Sequence, residues 1–307
     1  MPELPEAEVV AQQIRSRLVG AQLIHITVGR ADIVKEGFRM LSWYRNVRLD
    51  SVSRYGKSVA LEFRKGSDVR YIVAELGMTG LLLFQSVAVK HPQHVHVEMS
   101  FTGGREPLLR YWNPRRFGRL SLLDRPSLDR YIARRFGLDP LTVSRADFVR
   151  YLGGRRARLK PLLMQQQAVA GIGNIYANEI LFRARLHPNQ IADRLRPAQM
   201  ELLYETTCQV LQDAIRCGGS SVRDFFAPDG TEGRYKVHHL VYGKEGQPCP
   251  NLCGRTIRRL QSERSSFVCP SCQGRRKRPF LPILKKSQQN SSKIDNLCLP
   301  RSHQMTS

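Results

Sequence analysis

Three groups of residues in this 307-residue chain have types and spacings that can do chemistry. The first is Cys249-x3-Cys253 followed, after fifteen intervening residues, by Cys269-x2-Cys272. Two short-loop thiolate pairs flanking a hairpin-length segment supply the four soft, tetrahedral ligands that zinc takes. Pro250, Gly254 and Pro270 suit tight turns around them. The competing reading, two disulfides, does not suit an intracellular chain. Four cysteine ligands leave no open coordination position, so one structural zinc ion that holds shape and does no chemistry is expected. Arg255, Arg258, Arg259 and Arg264 lie between the pairs, which reads as a hairpin presenting arginines to phosphate or a groove.

The second group is the start, MPELPE. Removal of Met1 would expose Pro2 as a secondary amine with a pKa near ~8, partly neutral and nucleophilic at cellular pH. Attack of such an amine on a sugar C1′ gives a cationic iminium, an electron sink for elimination, and Glu3 and Glu6 are neighbours able to move protons. Many chains begin Met-Pro without this role. The third group is Gly171-Ile172-Gly173-Asn174. It lacks the third glycine and the preceding strand of a dinucleotide fingerprint. It reads instead as a helix–turn–helix whose exposed N–H groups, with Asn174, bind phosphate beside Arg155, Arg156, Arg158 and Lys160. A plain tight turn is the alternative.

These groups need elements to position them. Val9, Val10, Ile14 and Leu18 mark a helix over Pro5–Val19 stopped by Gly20. Residues 58–63, 69–76, 80–84 and 94–101 read as strands; in the last, Val95, Val97, Met99 and Phe101 share one face, and His94, His96, Glu98 and Ser100 the other. Strands do not alternate with helices there, so an antiparallel sandwich is expected. Helices are expected at 144–152, 158–167, 174–185 and 197–216. The fold class is α+β and multidomain: residues 1–135 the sandwich, 136–150 a hinge, 151–240 a helical domain, 241–273 a zinc hairpin, 274–307 a basic tail.

Forty-nine Lys plus Arg against 26 Asp plus Glu give a net charge of +23. That far exceeds what solubility needs and indicates a polyanionic partner. About +7 of it falls in the Ser/Gln/Asn-rich tail, which reads as disordered; GRRKRP at 274–279 reads as a solvated arm or a nuclear signal. Apolar content suffices for cores, and no run has the ~18 apolar residues of a membrane span. Cys208 and Cys217 fall on opposite faces of one helix and cannot bridge each other.

Several ordered motifs together are similar to the formamidopyrimidine-DNA glycosylase branch of the Fpg/Nei DNA repair enzymes. They are PELPE, RYGKSVALEF around Lys57, LGMTG (76–80), YWNPRRFG (111–118), GLDPL (137–141), LKPLL (159–163), GIGNIYANEILF (171–182), CGGSSVRDF (217–225), VYGKEGQPC (241–249) and the cysteine pairs. The resemblance spans about residues 1–273, and PELPE favours this branch over PEGPE-type relatives.

The resemblance implies a bifunctional glycosylase and abasic-site lyase of base excision repair. It would remove oxidised purines from damaged double-stranded DNA as an intracellular monomer. Pro2 would be the nucleophile, Glu3 the general acid/base and Lys57 an assistant. Met78, Arg115 and Phe117 would fill the void left by the flipped nucleotide, with Arg115 reading the orphaned cytosine. Lys160, Asn174 and Arg264 would grip phosphates, and Ser220 and Ser221 would belong to a lesion-covering loop over 218–240. Met78 and Phe117 read as core on hydrophobicity alone. His94 reads as solvated or phosphate-facing. Glu179 reads as a solvated carboxylate that the family places near the N-terminus. Two features depart from the family pattern: Asn113 stands where Asp is common, and the first cysteine pair has a three-residue spacer. The other functional classes are a non-catalytic zinc-containing DNA-binding protein, an RNA-binding protein, and an oxidised-pyrimidine preference within the family.

Overall fold

The computed structural model describes residues 2–89, 91–221, 225–261 and 264–274. The basic tail from 275 onward, with Cys298, lies outside the described residues. Helix α1 (Leu4–Leu18) starts on Pro5 in its first turn and buries Val10, Ala11, Ile14 and Leu18 completely. Full burial of each larger side chain contributes about 1.5–3 kcal/mol. The strands are β1 (Gln22–Val28), β2 (Val34–Glu36), β3 (Val47–Tyr55), β4 (Ser58–Lys65), β5 (Asp68–Glu75), β6 (Leu81–Phe84), β7 (Val95–Thr102), β8 (Leu108–Trp112) and β9 (Arg119–Asp124). They hydrogen-bond in the order β2-β9-β5-β4-β3-β1-β7-β8-β6, all pairs antiparallel except β2 with β9. The layers are therefore joined in one continuous sheet. All nine strands and α1 contribute to a single core, so the sheet folds around it.

The alternation expected in β7 holds from Val97 to Phe101 but fails at its start. His94 ends a short 3₁₀ turn, and a register shift between Val95 and Val97 buries His96, whose Nε2 lies 2.9 Å from the Asn113 carbonyl. Helix α2 (Arg125–Arg135) lies inside the stretch expected to be sandwich; Asp124 caps it by accepting from Ser127 N. Leu128 and Tyr131 of α2 cover Ala60, Tyr71, Val73 and Leu123 on the outer sheet face.

The helical domain holds α3 (Arg145–Gly153), α4 (Leu159–Met164), α5 (Asn174–Arg183) and α6 (Pro197–Arg216). Helix α4 stops three residues short of expectation because Ala168 N and Val169 N turn back onto the Gln165 carbonyl. Leu4 of α1 packs in this domain's core while the rest of α1 packs in the sheet core, so α1 belongs to both. At the junction the Arg54 side chain, 5% exposed, bridges Glu8 and Asp139. The boundary expected at 240 also shifts. Phe225 joins the sheet core, Phe84 N donates to the Pro228 carbonyl, and Asp229 pairs with Arg17. The segment after α6 thus reaches back to the N-terminal domain before the hairpin β10 (Arg258–Leu260) and β11 (Ser266–Val268).

Candidate active site and nucleic-acid interface

The chain start is fixed at the seam between the two large domains. Pro2 is buried and Leu4 N donates to the Gly171 carbonyl. The Glu3 carboxylate is buried against the first turn of α5: Oε1 accepts from Ile175 N at 2.9 Å, and Oε2 from Gly173 N at 2.8 Å and Tyr176 N at 3.3 Å. A negative charge is stabilised there by both the free N–H groups and the helix dipole. The glycine turn therefore does bind an anion, but the anion is Glu3 and not an incoming phosphate. Gly173 is required by that contact, because a Cβ would collide with the carboxylate.

Glu6 lies one turn along α1 and is also buried. Its Oε2 accepts from Glu3 N at 2.7 Å, and its Oε1 from Tyr176 Oη at 2.6 Å and Ser220 N at 2.7 Å. Burial, with nearby Glu3, pushes the Glu6 carboxyl above its usual range. The network continues from Ser220 Oγ to His239 Nε2 at 2.9 Å, and burial brings His239 down to about 4, so that ring is neutral. Ser220 is thus structural here. Ser221 is as well: its hydroxyl donates to the Phe225 carbonyl and accepts from Gly233 N. Residues 222–224 of the expected lesion loop lie outside the described residues.

Lys57, on the turn between β3 and β4, lines a cavity of about 620 Å³ with Met78, Phe117, Arg134, Arg135 and Gln165 to Gln167. Burial lowers its ammonium pKa; Glu3 opposes that shift and Arg264 reinforces it, so the three groups share one field. Met78 is 42% exposed and Phe117 64% exposed at this mouth, so neither is core. Arg115 is exposed on the same turn as Phe117, and Arg116 holds that turn with φ +55. His94 is half-buried with its ring edge-on to Trp112.

Lys160, Asn178 and Glu179 help tie the hairpin segment to the helical domain. Lys160 is buried and spends its ammonium on Arg264 O, Ser265 O and Ser266 Oγ at 3.1, 2.7 and 2.9 Å. All three N–H donors are engaged, so Lys160 holds the loop that carries Arg264 and does not itself reach out to a phosphate. Burial, then Arg264, lower Lys160 to about 8. Asn178 accepts from Phe267 N at 2.7 Å and donates to the Asn174 carbonyl at 2.7 Å. Asn174 is half-buried at the start of α5 and Arg264 is exposed at the hairpin tip. Glu179 is 0% exposed, not solvated: Oε2 accepts from Leu240 N and Oε1 from Val241 N and Tyr242 N, at 2.8 to 3.0 Å.

The sulfurs of Cys249, Cys253, Cys269 and Cys272 lie within 4.8 Å of one another, a cluster able to hold a metal ion. Contacts of 3.7 Å (Cys249 to Cys272) and 3.4 Å (Cys253 to Cys269) approach the ~3.8 Å edge of a tetrahedron with metal–sulfur bonds of about 2.3 Å. Asn251 Nδ2 and Cys272 N donate to sulfurs, as suits thiolates. The additional spacer residue is absorbed by Leu252, which takes φ +52 and stands 92% exposed.

Comparison with known proteins matches this arrangement. Residues 1–120 match the formamidopyrimidine-DNA glycosylase N-terminal domain and residues 136–226 the formamidopyrimidine-DNA glycosylase H2TH domain. The formamidopyrimidine-DNA glycosylase of Edwardsiella ictaluri is 37% identical, covering 89% of this chain and 100% of that protein. The chain belongs to the formamidopyrimidine-DNA glycosylase family. The Gluconobacter oxydans member is 35% identical over the same shares of the two chains. Among solved structures, Lactococcus lactis Fpg in complex with DNA containing an abasic site superposes with a TM-score of 0.78 at 30% identity. A MutM protein in complex with DNA containing carbocyclic 8-oxo-G gives 0.77 at 31%; each comparison covers 89% of this chain and 100% of the other.

Several residues that hold the glycosylase family's site together in this chain escape sequence reasoning. Tyr176, His239 and Asn178 act through buried hydrogen bonds across sequence gaps that no local spacing reveals. Gln273 accepts from Cys269 N and donates to the Leu186 carbonyl, seating the second cysteine turn on the helical domain. Its position directly after Cys272 was the one available signal. Glu75 lines the cavity beside Lys57 but accepts from Arg119, Arg135 and Tyr131, so its charge is neutralised within the wall.

Proposed function

We propose that this chain is a bifunctional DNA glycosylase and abasic-site lyase of base excision repair, removing oxidised purines (8-oxoguanine and formamidopyrimidines) from duplex DNA. The observation that carries the reading is the placement of Pro2 and Glu3 at the domain seam, where Lys57 shares their field. With Met1 removed, the Pro2 nitrogen attacks C1′ of the damaged nucleoside. The base leaves with the glycosidic electron pair and takes up a proton. The C1′–O4′ bond then breaks as the nitrogen lone pair forms the iminium, and the proline N–H proton passes to O4′. Loss of a C2′ proton then expels the 3′ phosphate in β-elimination. Glu3, fixed by backbone N–H groups of the first turn of α5, moves protons at the deoxyribose. Lys57, whose ammonium burial destabilises, assists proton transfer or meets a backbone phosphate. Met78 and Phe117 stand exposed at the cavity mouth and Arg115 is exposed on the turn that carries Phe117, as residues entering a duplex must be.

Arg264 and Asn174 contact the backbone on either side of this point, His94 adds a polar edge, and Lys160, Asn178 and Glu179 position them. The four cysteines suit zinc in particular, being all-sulfur and closed. The ion would hold the hairpin and supply no chemistry. Among the described residues no helix is long and apolar enough to cross a membrane.

The test is borohydride trapping on duplex containing 8-oxoguanine opposite cytosine, with mapping of the cross-linked peptide. An adduct at Pro2 is expected. Capture at an internal lysine, or no adduct with metal-loaded protein that binds the duplex, overturns the mechanism and leaves a damage-binding protein as the alternative.

A further inference from the structure

The two turns that carry Met78, Arg115 and Phe117 belong to different connections, β5 to β6 and β8 to β9, yet they meet at one buried hydroxyl. Tyr111 of β8 is fully buried; its Oη donates to the Glu75 carbonyl at 2.7 Å and accepts from Asn113 Nδ2 at 3.2 Å. Glu75 leads directly into Leu76-Gly77-Met78, and Asn113 leads directly into Pro114-Arg115-Arg116-Phe117. The backbones of the two turns also interlock. A Cβ on Gly118 would overlap both Tyr111 Oη and the Glu75 carbonyl, and a Cβ on Gly77 would lie 2.7 Å from the Phe117 carbonyl carbon. The second turn is further held by Asn113 N donating to the His94 carbonyl and Arg116 N donating to Asn113 O. Burial raises the phenol far above its usual range, so it remains a donor at every working pH.

From this geometry we infer that Tyr111 is a positioning residue that couples the two void-filling turns, so that Met78 enters the duplex in fixed register with Arg115 and Phe117. The inference rests on the DNA-glycosylase reading above. It touches neither substrate nor Pro2, and acts through the backbones on either side of its hydroxyl. Asn113 completes the coupling: a neutral amide presents a donor to the phenol oxygen, and its Oδ1 has no partner. An ionised carboxylate at 113 has no donor to offer, so the phenol oxygen would lose its second contact. The coupling is therefore matched to the residue this chain has at the position.

The step that needs the coupling is extrusion of a stacked, paired base. A preformed abasic site has no base to extrude, so it provides an internal control. Tyr111→Phe removes only the hydroxyl, leaving Glu75 O and Asn113 Nδ2 without their partner. Single-turnover excision of 8-oxoguanine opposite cytosine is expected to fall roughly tenfold, as loss of a buried hydrogen-bond pair would give. Cleavage and borohydride trapping at a preformed abasic site should stay within about twofold. Gly118→Ala, which pushes the same oxygen out of place, should show the same split, with excision falling at least as far. A 2-aminopurine beside the lesion should brighten less with either variant, reporting incomplete insertion. Equal loss on both substrates, meaning general damage to the domain, or no loss on either, overturns the proposal while wild-type activity keeps the functional reading. A wild type inactive on both substrates overturns the functional reading and this inference with it.

Discussion

Replacing Glu179 by Gln exchanges one oxygen for an NH₂ group in a side chain with no solvent contact, and the consequence can be worked from its three hydrogen bonds. The carboxylate gives one oxygen to Val241 N and Tyr242 N and the other to Leu240 N. The better amide orientation keeps the oxygen on the first pair and turns the NH₂ group into Leu240 N–H. One charge-assisted bond is lost, about 1.5–3 kcal/mol, and the other two weaken from charged to neutral, about 1 kcal/mol each. The cost is roughly 3–5 kcal/mol, concentrated where residues 240–242 lead from the helical domain into the cysteine hairpin. At about 1.4 kcal/mol per factor of ten, the undocked hairpin should become on the order of 10² to 10³ more populated. Hydrogen exchange at amides 240–242 and 257–269 reads this directly, with DNA affinity as the functional readout. Exchange there within about threefold of wild type, with DNA affinity unchanged, would refute the reasoning, since that corresponds to well under 1 kcal/mol.

His239 has a folded pKa of about 4, below the ~6.5 of free histidine, so the unfolded chain binds more protons between those values and stability falls as pH drops through that window, by up to ~3 kcal/mol. His239→Gln should flatten that part of the stability–pH curve in denaturant titrations; an unchanged curve would mean the ring is not held neutral. Lys160, lowered to about 8, has three acceptors to serve and as a neutral amine only two N–H donors, so duplex affinity should decline as pH rises from about 7 to about 9. Lys160→Met should bind more weakly and without that pH step; retention of the step would assign it elsewhere. Gly173→Ala drives a Cβ into the Glu3 carboxylate and should cut glycosylase activity by about 10² or more with the fold retained by circular dichroism. Activity within tenfold of wild type would show that the carboxylate position is not critical.

Sequence reading located the chemistry better than the scaffolding, for a physical reason. Cysteine pairs, a glycine turn and strand alternation are local patterns, so Cys249 to Cys272, Gly171 to Asn174 and β4, β5 and β6 were legible within a few residues. Helix α2 was missed because only Leu128 and Tyr131 are buried along it, too few to set a period. The glycine turn was legible as an anion site but not its occupant, because Glu3 lies 170 residues away from Gly173. Lys160 and Glu179 looked like surface charges because nothing near them in sequence announces the backbone groups that neutralise or satisfy them. Met78 and Phe117 were ambiguous for the opposite reason: apolar residues default to core, and only their turns' partnership shows why they stand in solvent.

The long sequence separations at the domain seam bear on the order in which the protein is made. Glu3 and Glu6 are synthesised before their partners Gly173, Tyr176 and Ser220, which follow up to 214 residues later. Until about residue 220 has emerged, both carboxylates lack the groups that hold them, however well the sheet has folded. A reactive amine is therefore not aimed by any partial chain. Assembly of the site coincides with docking of the second domain, so an interrupted translation product has the nucleophile but lacks the enzyme.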